Sequence, residues 1–367
     1  SGERMTGAGV ETLRGRFSQV IATLFPGYFA LVMATGIVSI ASQLLGFPVP
    51  ARLLLAANLV FYAILLALTC VRAVRFPRRL LADLADHSRG PGYFTLVAAT
   101  NVLGSQCLRV AGWRGAAEVC FAAGLGLWVL VMYSFFLAVV VRENKPTLGQ
   151  GINGAWLLAT VSTQSVAVLG ASLVDPFGWS APIVLFGALV LFLIGCMLYL
   201  SIITLIFYRF TFLELETATL TPPYWISMGA VAITALAGAT LLLAADRSPL
   251  LSELAPFLRG FTLFFWAAGS WWIPLLLLLG AWRHLWRRHA LTYDPQYWAM
   301  VFPLGMYAAA TWQLAAALPM PPLAALARAT LPVALFAWAA TALGMVHSWW
   351  RWSREYRSGR PQGNEAA

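Results

Sequence analysis

Thr35, Ser39 and Ser42 fall at i, i+4 and i+7 of one apolar run, so a helix there carries three hydroxyls along a single stripe. Later apolar runs hold similar groups. Asn101 and Ser105 stand beside Gln106; Thr160, Thr163 and Gln164 share a face; Ser227 and Thr234 are seven apart. Hydroxyls and amides of this kind replace part of the hydration shell of a permeating ion. Any one Ser or Thr can instead bond its own backbone four residues back, and Gly and Ser also mark tight helix contacts. Recurrence over five runs favours a shared polar path, which selects Thr35, Ser39, Asn101, Ser105, Thr160, Gln164, Ser227, Thr234, Gly305 and Gln313 as its lining.

The acidic residues narrow the cargo. None lies in the middle of an apolar run; Glu118 comes nearest, four residues after Arg114, where a surface pair accounts for it. A carboxylate at mid-membrane costs about 2.5–3.5 kcal/mol and is kept mainly for protons or cations. A path without one does not repel anions, so small anions are the expected cargo. No Ser/His/Asp constellation is present, and the histidines at 87, 284, 289 and 347 do not face one another in mid-span. Enzymatic activity, haem, metal sites and other cofactors are therefore not expected. There is no GxxxxGK[ST] loop for ATP. The cysteines (Cys70, Cys107, Cys120 and Cys196) lack paired spacing and read as small hydrophobes.

These residues must be held by elements that the sequence announces twice. PGYFALVMATGIV at Pro26–Val38 and PGYFTLVAATNVL at Pro91–Leu103 are near copies, offset by the length of one helix out, one back and their loops. Thr35 and Thr100 occupy the same place in the two copies. The 367 residues are 60% hydrophobic and 10% charged, with a mean hydropathy of +0.76, so the chain faces mostly lipid. Ten spans are expected, near 25–46, 51–72, 91–111, 115–141, 152–173, 181–207, 223–245, 256–282, 296–318 and 329–352. Residues 21–352 form one membrane domain between short tails at 1–20 and 353–367.

The formal charge of +10 is a matter of topology and does not mark a nucleic-acid partner. With ten spans, 18 of the 24 Lys and Arg residues fall on the side that holds both termini. Both ends are therefore expected in the cytoplasm of a multi-pass protein of the cell (inner) membrane. The polar stripes belong to the odd-numbered spans, while the even ones are mostly Leu, Ala, Val, Phe and Trp. The expected architecture is all-α: five helical hairpins, odd helices forming an inner pore and even helices an outer ring.

The ninth span carries Phe302-Pro303. Proline removes a backbone hydrogen bond and bends the helix, which displaces the side chain before it. Phe302, Gly305, Ala309 and Gln313 share about one face, an aromatic followed by smaller groups along the same stripe. Ordinary packing and a plug are both compatible with that pattern. Arg109 is the one cation near an odd-helix interior, placed either to attract an anion or to snorkel from a helix end.

FPGYFALVMATGIVSIA, PPYWISMGA at the seventh span and YWAMVFPLGMY at the ninth resemble the tellurite-resistance/C4-dicarboxylate transporter family. That family includes the slow-type anion channels of plant guard cells, bacterial tellurite-resistance proteins, fungal malate permeases and fungal sulfite exporters. The resemblance covers roughly residues 20–350. It implies a homotrimer in the lipid bilayer, each subunit with its own pore of five odd helices, closed by a phenylalanine whose position matches Phe302 before Pro303. The long phosphorylated tails of the plant members are missing from this chain. The function expected is small-anion transport through that pore, with a proton-coupled or exchange carrier for C4-dicarboxylates (malate) or sulfite as the alternative.

Overall fold

The computed structural model describes residues 15, 18–174 and 180–357, and no strand occurs among them. Ten long helices follow one another: α1 Ala30–Leu44, α2 Pro48–Arg75, α3 Phe94–Gln106, α4 Arg114–Val141, α5 Leu158–Ser172, α6 Ala181–Phe212, α7 Ile226–Leu243, α8 Pro249–Ala281, α9 Trp298–Ala317 and α10 Pro321–Arg357. A short amphipathic helix, Pro77–Leu84, which sequence reading did not anticipate, sits between α2 and α3. Proline stands in the first turn of α2, α6 and α8, where its missing N–H is not needed. Each odd helix is preceded by a short 3-10 turn, such as Pro26–Phe29 before α1 and Pro222–Trp225 before α7.

The odd helices form a closed ring, α1 on α3, α3 on α5, α5 on α7, α7 on α9, and α9 back on α1. Each even helix lies outside, against the odd helix before it, and α10 also touches α1. Burial follows the same division. Within the most apolar window, 83% of α1 and 89% of both α5 and α7 are inside the protein, against 22–44% for the even helices. Eight helical segments are long and apolar enough to cross a membrane, and α3 and α9 are not among them. α3 is only 13 residues long, and both helices are walled in by neighbours, so neither need be apolar along its length; α3 carries Asn101, Ser105 and Gln106 buried inside the protein.

At 28–37 residues, the even helices exceed the roughly 20 needed to span hydrocarbon. The last one runs to Arg357, beyond the boundary at 352 expected from sequence. The rest of the C-terminal tail, like most of residues 1–20, lies outside the described residues.

Two repeated devices tie the layers together. The first joins even-helix aromatics to odd-helix hydroxyls. Trp338 Nε1 donates to Thr35 Oγ1 at 2.9 Å, Trp128 Nε1 to Thr163 Oγ1 at 2.8 Å, and Trp266 Nε1 to Thr311 Oγ1 at 3.0 Å. Thr100 gives its own proton to the Leu96 carbonyl, so Tyr62 Oη donates to it at 2.9 Å. On α7 the partner is backbone: Tyr199 Oη donates to the Ser227 carbonyl at 3.2 Å. A buried indole N–H or phenol O–H needs an acceptor, because lipid offers none.

The second device is an arginine near the end of an even helix that reaches the chain leading into the odd helix of its own hairpin. Arg72 Nη1 donates to the Leu24 carbonyl at 2.8 Å and Arg142 Nη1 to that of Ala85 at 3.0 Å. Arg209 and Arg283 donate likewise to the carbonyls of Ile152 and Leu220. Leu24, Ile152 and Leu220 each stand two residues before a 3-10 turn.

Candidate functional site

Two cavities lie in line within the ring. The first is lined by the starts of all five odd helices: Gly27, Ala30 and Met33 around α1, Thr95 of α3, Leu158 of α5, Ile226 of α7, and Ala299 and Phe302 of α9. The second takes its walls from farther along the same helices. Ile37 and Ile40 come from α1, Val102 and Ser105 from α3, Ser165 and Val168 from α5, Ile233 and Leu236 from α7, and Met306 and Gln313 from α9. Arg109 completes it from the π-helical turn Cys107–Ala111 that extends α3. The turn ends at Gly112, whose φ of 70° suits glycine. Since the same helices line both chambers in the same order, the odd helices run parallel.

What separates the cavities is thin. Met33 and Phe302 face the first; Ile37 and Met306, each one turn on, face the second. At 1.5 Å per residue the layer is about 6 Å deep. Phe302 is 1% exposed and brings an aromatic ring to the wall of the first cavity at this level. The helix is held closely at the neighbouring Pro303 and at Gly305. A Cβ on Gly229 of α7 would meet Pro303 Cγ at 2.7 Å, and one on Gly305 would meet Val38 Cγ2 of α1 at 2.9 Å. Only glycine permits these approaches. With cavity volumes of about 30 and 20 Å³, each chamber has room for one or two water molecules. A larger cavity of about 280 Å³ lies off the axis, between α8 and the starts of α7 and α9, with Arg283 and His284 on its wall.

Most of the hydroxyls and amides selected from sequence do not face this axis, and the lining is largely apolar. Thr35 is turned to Trp338 on α10, and Ser39 Oγ donates to the Ala51 carbonyl of α2 at 2.6 Å. Asn101 lies against Gly124 of α4 and donates to its own helix at the Val97 carbonyl. Gln164 Nε2 donates to the Phe192 carbonyl of α6 at 3.0 Å, and Gly195 makes room for it. Thr234 donates to the Ala230 carbonyl. Thr160 and Ser227 are fully buried away from both cavities. Gly305 serves helix contact.

The reason is angular. Thr35 stands two residues from Met33, Thr160 two from Leu158, Ser227 one from Ile226 and Gln164 one from Ser165, which is 100–200° around the helix from the lining face. Spacing within one helix located a stripe without its direction.

Four selected residues do meet the axis: Phe302 beside the first cavity, and Ser105, Gln313 and Arg109 in the second. Sequence reading missed Met33, Met306, Ser165 and Thr95. Their signal was present, because the lining residues of α1 recur at three- and four-residue steps from Ala30 to Leu44.

Arg109 Nη2 donates to Ser172 Oγ at 3.3 Å. With its side-chain oxygen set toward the guanidinium, Gln313 accepts from Nη1 at 3.1 Å and Nη2 at 3.3 Å. Among the described residues, no carboxylate lines either cavity and none stands within ion-pair distance of Arg109. At the other chamber the N-terminal ends of five helices converge, and their dipoles make it a positive end for the field along the axis.

A cluster of charged residues lies beside the first cavity. Arg72 and Arg89 share Asp83, at 2.5 and 2.9 Å, and Arg89 lies 5.9 Å over the ring of Phe25, which lines the first cavity.

Comparison with known proteins agrees with this architecture. The profile of the SLAC1 family, described as voltage-dependent anion channel, matches residues 23–346. An uncharacterized membrane protein of Mycobacterium tuberculosis is 38% identical over 150 residues, 41% of this chain and 76% of that protein. An uncharacterized transporter of Methanocaldococcus jannaschii is 24% identical over 315 residues, 80% of this chain and 84% of its own length. The sulfite efflux pump SSU1 of Arthroderma benhamiae is 24% identical over 319 residues, 80% and 82% of the two chains. The chain belongs to the SLAC1 family.

Proposed function

We propose that this member of the SLAC1 family passes small anions along the axis of its five-helix ring, and that Phe302 closes the path. One observation carries the reading: two chambers lined by the same five helices stand end to end, separated by a single turn of apolar side chains that includes Phe302. The charge pattern supports it. Helix N-termini converge at one end, Arg109 stands at the other, and among the described residues no carboxylate lines either chamber. The family's description as an anion channel and the sulfite efflux pump among the relatives point to the same cargo class.

The proposal includes ten membrane crossings, α3 and α9 being shielded from lipid by the outer helices. It places both termini in the cytoplasm of a cell membrane, on the strength of the arginine distribution. A homotrimer is part of it by family resemblance alone. A coupled carrier for sulfite or a C4-dicarboxylate is the second reading, favoured by the Arg109–Gln313 pair, since arginine suits carboxylate and other oxyanions.

The purified protein in liposomes decides between them. Anion flux that follows the membrane potential without saturation or exchange supports the channel. Saturable exchange driven by a pH gradient supports the carrier. No flux of chloride, nitrate, sulfite or malate overturns both.

A further inference from the structure

The off-axis cavity between α8 and the starts of α7 and α9 takes no part in the axial path, and it is far larger than either axial chamber. Its wall changes character along α8. Leu276, Leu277 and Leu279 form an apolar stretch, joined by Met300 of α9, while Arg283 and His284, one to two turns on, make the far end polar.

This wall belongs to the outer face of the protein. Leu277 is 57% exposed, and Leu291 of the same wall is 75% exposed. With 33 residues, α8 is about 50 Å long against about 30 Å of hydrocarbon, so its last turns reach headgroup level. Trp282 and the exposed Trp286 follow directly, the aromatic pattern of a membrane interface.

The polar end is arranged to receive an anion. Arg283 Nη1 donates to the Leu220 carbonyl, which fixes the guanidinium on the wall. Its Nη2 is not buried and has no acceptor among the described residues. Glu214, Glu216 and Asp294 stand in the neighbouring loops, and none of them is within ion-pair distance of Arg283. Asp294 instead caps the backbone N–H of Gln296. Arg287 and Arg288 are exposed in the loop between the wall residues His284 and Leu291.

We propose that this cavity holds one anionic phospholipid, its phosphate on Arg283 and an acyl chain along Leu276, Leu277 and Leu279. The site lies on the outer face and stands whether or not ions cross the ring. A basic end at headgroup level with an apolar stretch beneath it repeats the order in which a phospholipid presents its own parts. A soluble phosphate would use the arginine and leave the leucines unserved. The guanidinium fork matches phosphate oxygens, and the two further arginines attract a headgroup with net negative charge. A choline headgroup brings its own cation to the same arginines and gains less. Because Trp225, Leu277 and Tyr297 share the wall, a lipid seated there touches α7, α8 and α9 together and should stabilise their packing.

The test uses the full chain in detergent, with phosphatidylglycerol and phosphatidylcholine of the same chain length. Native mass spectrometry reads the lipid retained and the oligomeric state, and thermal denaturation reads the midpoint. Phosphatidylglycerol is expected to bind about tenfold more tightly, the scale of one charge-assisted hydrogen bond, and to raise the midpoint. Inorganic phosphate and glycerol 3-phosphate are expected to leave the midpoint where it is.

Arg283→Gln should reduce phosphatidylglycerol retention to the phosphatidylcholine level. Since Arg283 also serves the Leu220 carbonyl, Gly280→Leu tests the site with that bond intact. Gly280 is on the wall, and a Cβ there meets nothing within 4 Å, so the new side chain fits without a clash and takes up lipid space. It should lower retention of both lipids. Gly260→Leu, on the same helix with equal room but off the cavity, should not. Equal retention of the two lipids by the wild-type protein would refute the role of charge. Phosphatidylglycerol binding unchanged in both R283Q and G280L would overturn the site. A midpoint raised by glycerol 3-phosphate alone would assign the cavity to a soluble phosphate and overturn the lipid. An oligomer lost in G280L with lipid retention intact would assign the cavity to contact with a second copy, which also overturns it.

Discussion

Trp338 on α10 gives its indole N–H to Thr35 on α1, joining the last of the ten long helices to the first at 2.9 Å. The residues are 303 positions apart, and no spacing rule relates them. The bond occupies Thr35 on the outer side of the ring, so Thr35→Val should lower the thermal midpoint by the equivalent of about 1 kcal/mol and leave ion selectivity unchanged. Altered ion ratios in reconstituted T35V would mean that the hydroxyl faces the permeating ion after all.

Phe302→Ala removes the ring between the two chambers. Flux in liposomes should rise about tenfold or more, a shift of about 1.4 kcal/mol in the bias toward the closed state. Unchanged flux from correctly folded F302A protein would remove the aromatic from the gating account.

Gly229 and Pro303 touch across α7 and α9, and a methyl group on Gly229 has nowhere to go. Gly229→Ala should destabilise the protein by about 1–3 kcal/mol through overpacking. Gly126, where a Cβ would meet nothing within 4 Å, is the control, and Gly126→Ala should show no such loss.

Arg72 is 3% exposed and paired with Asp83, so Arg72→Met leaves Asp83 to Arg89 alone and the Leu24 carbonyl without its donor. A loss of about 3 kcal/mol is expected, read as a fall in the denaturation midpoint in detergent. An unchanged midpoint would assign the clasp no part in stability.

His87 lies in the loop before α3, with its ring 5.8 Å from that of Trp156. Burial holds its imidazole below the usual value of 6.5, helped by the charges of Arg142 and Lys145 and opposed by Asp86. The unfolded chain therefore takes up this proton at a higher pH than the folded loop. The stability it supports is complete above about pH 6.5 and declines as the pH falls toward the lower folded value. His87→Gln should flatten that part of the stability profile between about pH 7 and pH 5. A wild-type midpoint that does not change over the range would refute the assignment.

The helices were legible because burial in lipid demands long apolar runs, and the alternation of arginine between loops separated ten segments. The split into inner and outer helices was legible too, since polar residues collect where lipid is absent. Direction around each helix was not. Thr35, Thr100 and Thr163 recur as a polar pattern whether they meet an ion or an indole, and the indole sits on another helix. Phe302 was legible through the proline beside it, and Arg109 as the one cation close to an odd-helix interior. Their common axis with Ser105 and Gln313 emerges only when five helices close into a ring.

In the proposed path the layer at Phe302 is about one turn deep, and this would govern how the protein meets an electric field. Once water fills the chambers on both sides, they become conductors, and the transmembrane voltage falls across the slab at Phe302 in place of the full bilayer. An ion passing that ring then gains or loses nearly all of its electrical energy, about 2.3 kcal/mol per 100 mV, in one short step. Side-chain motions of a few ångströms there change the barrier where the voltage acts most steeply.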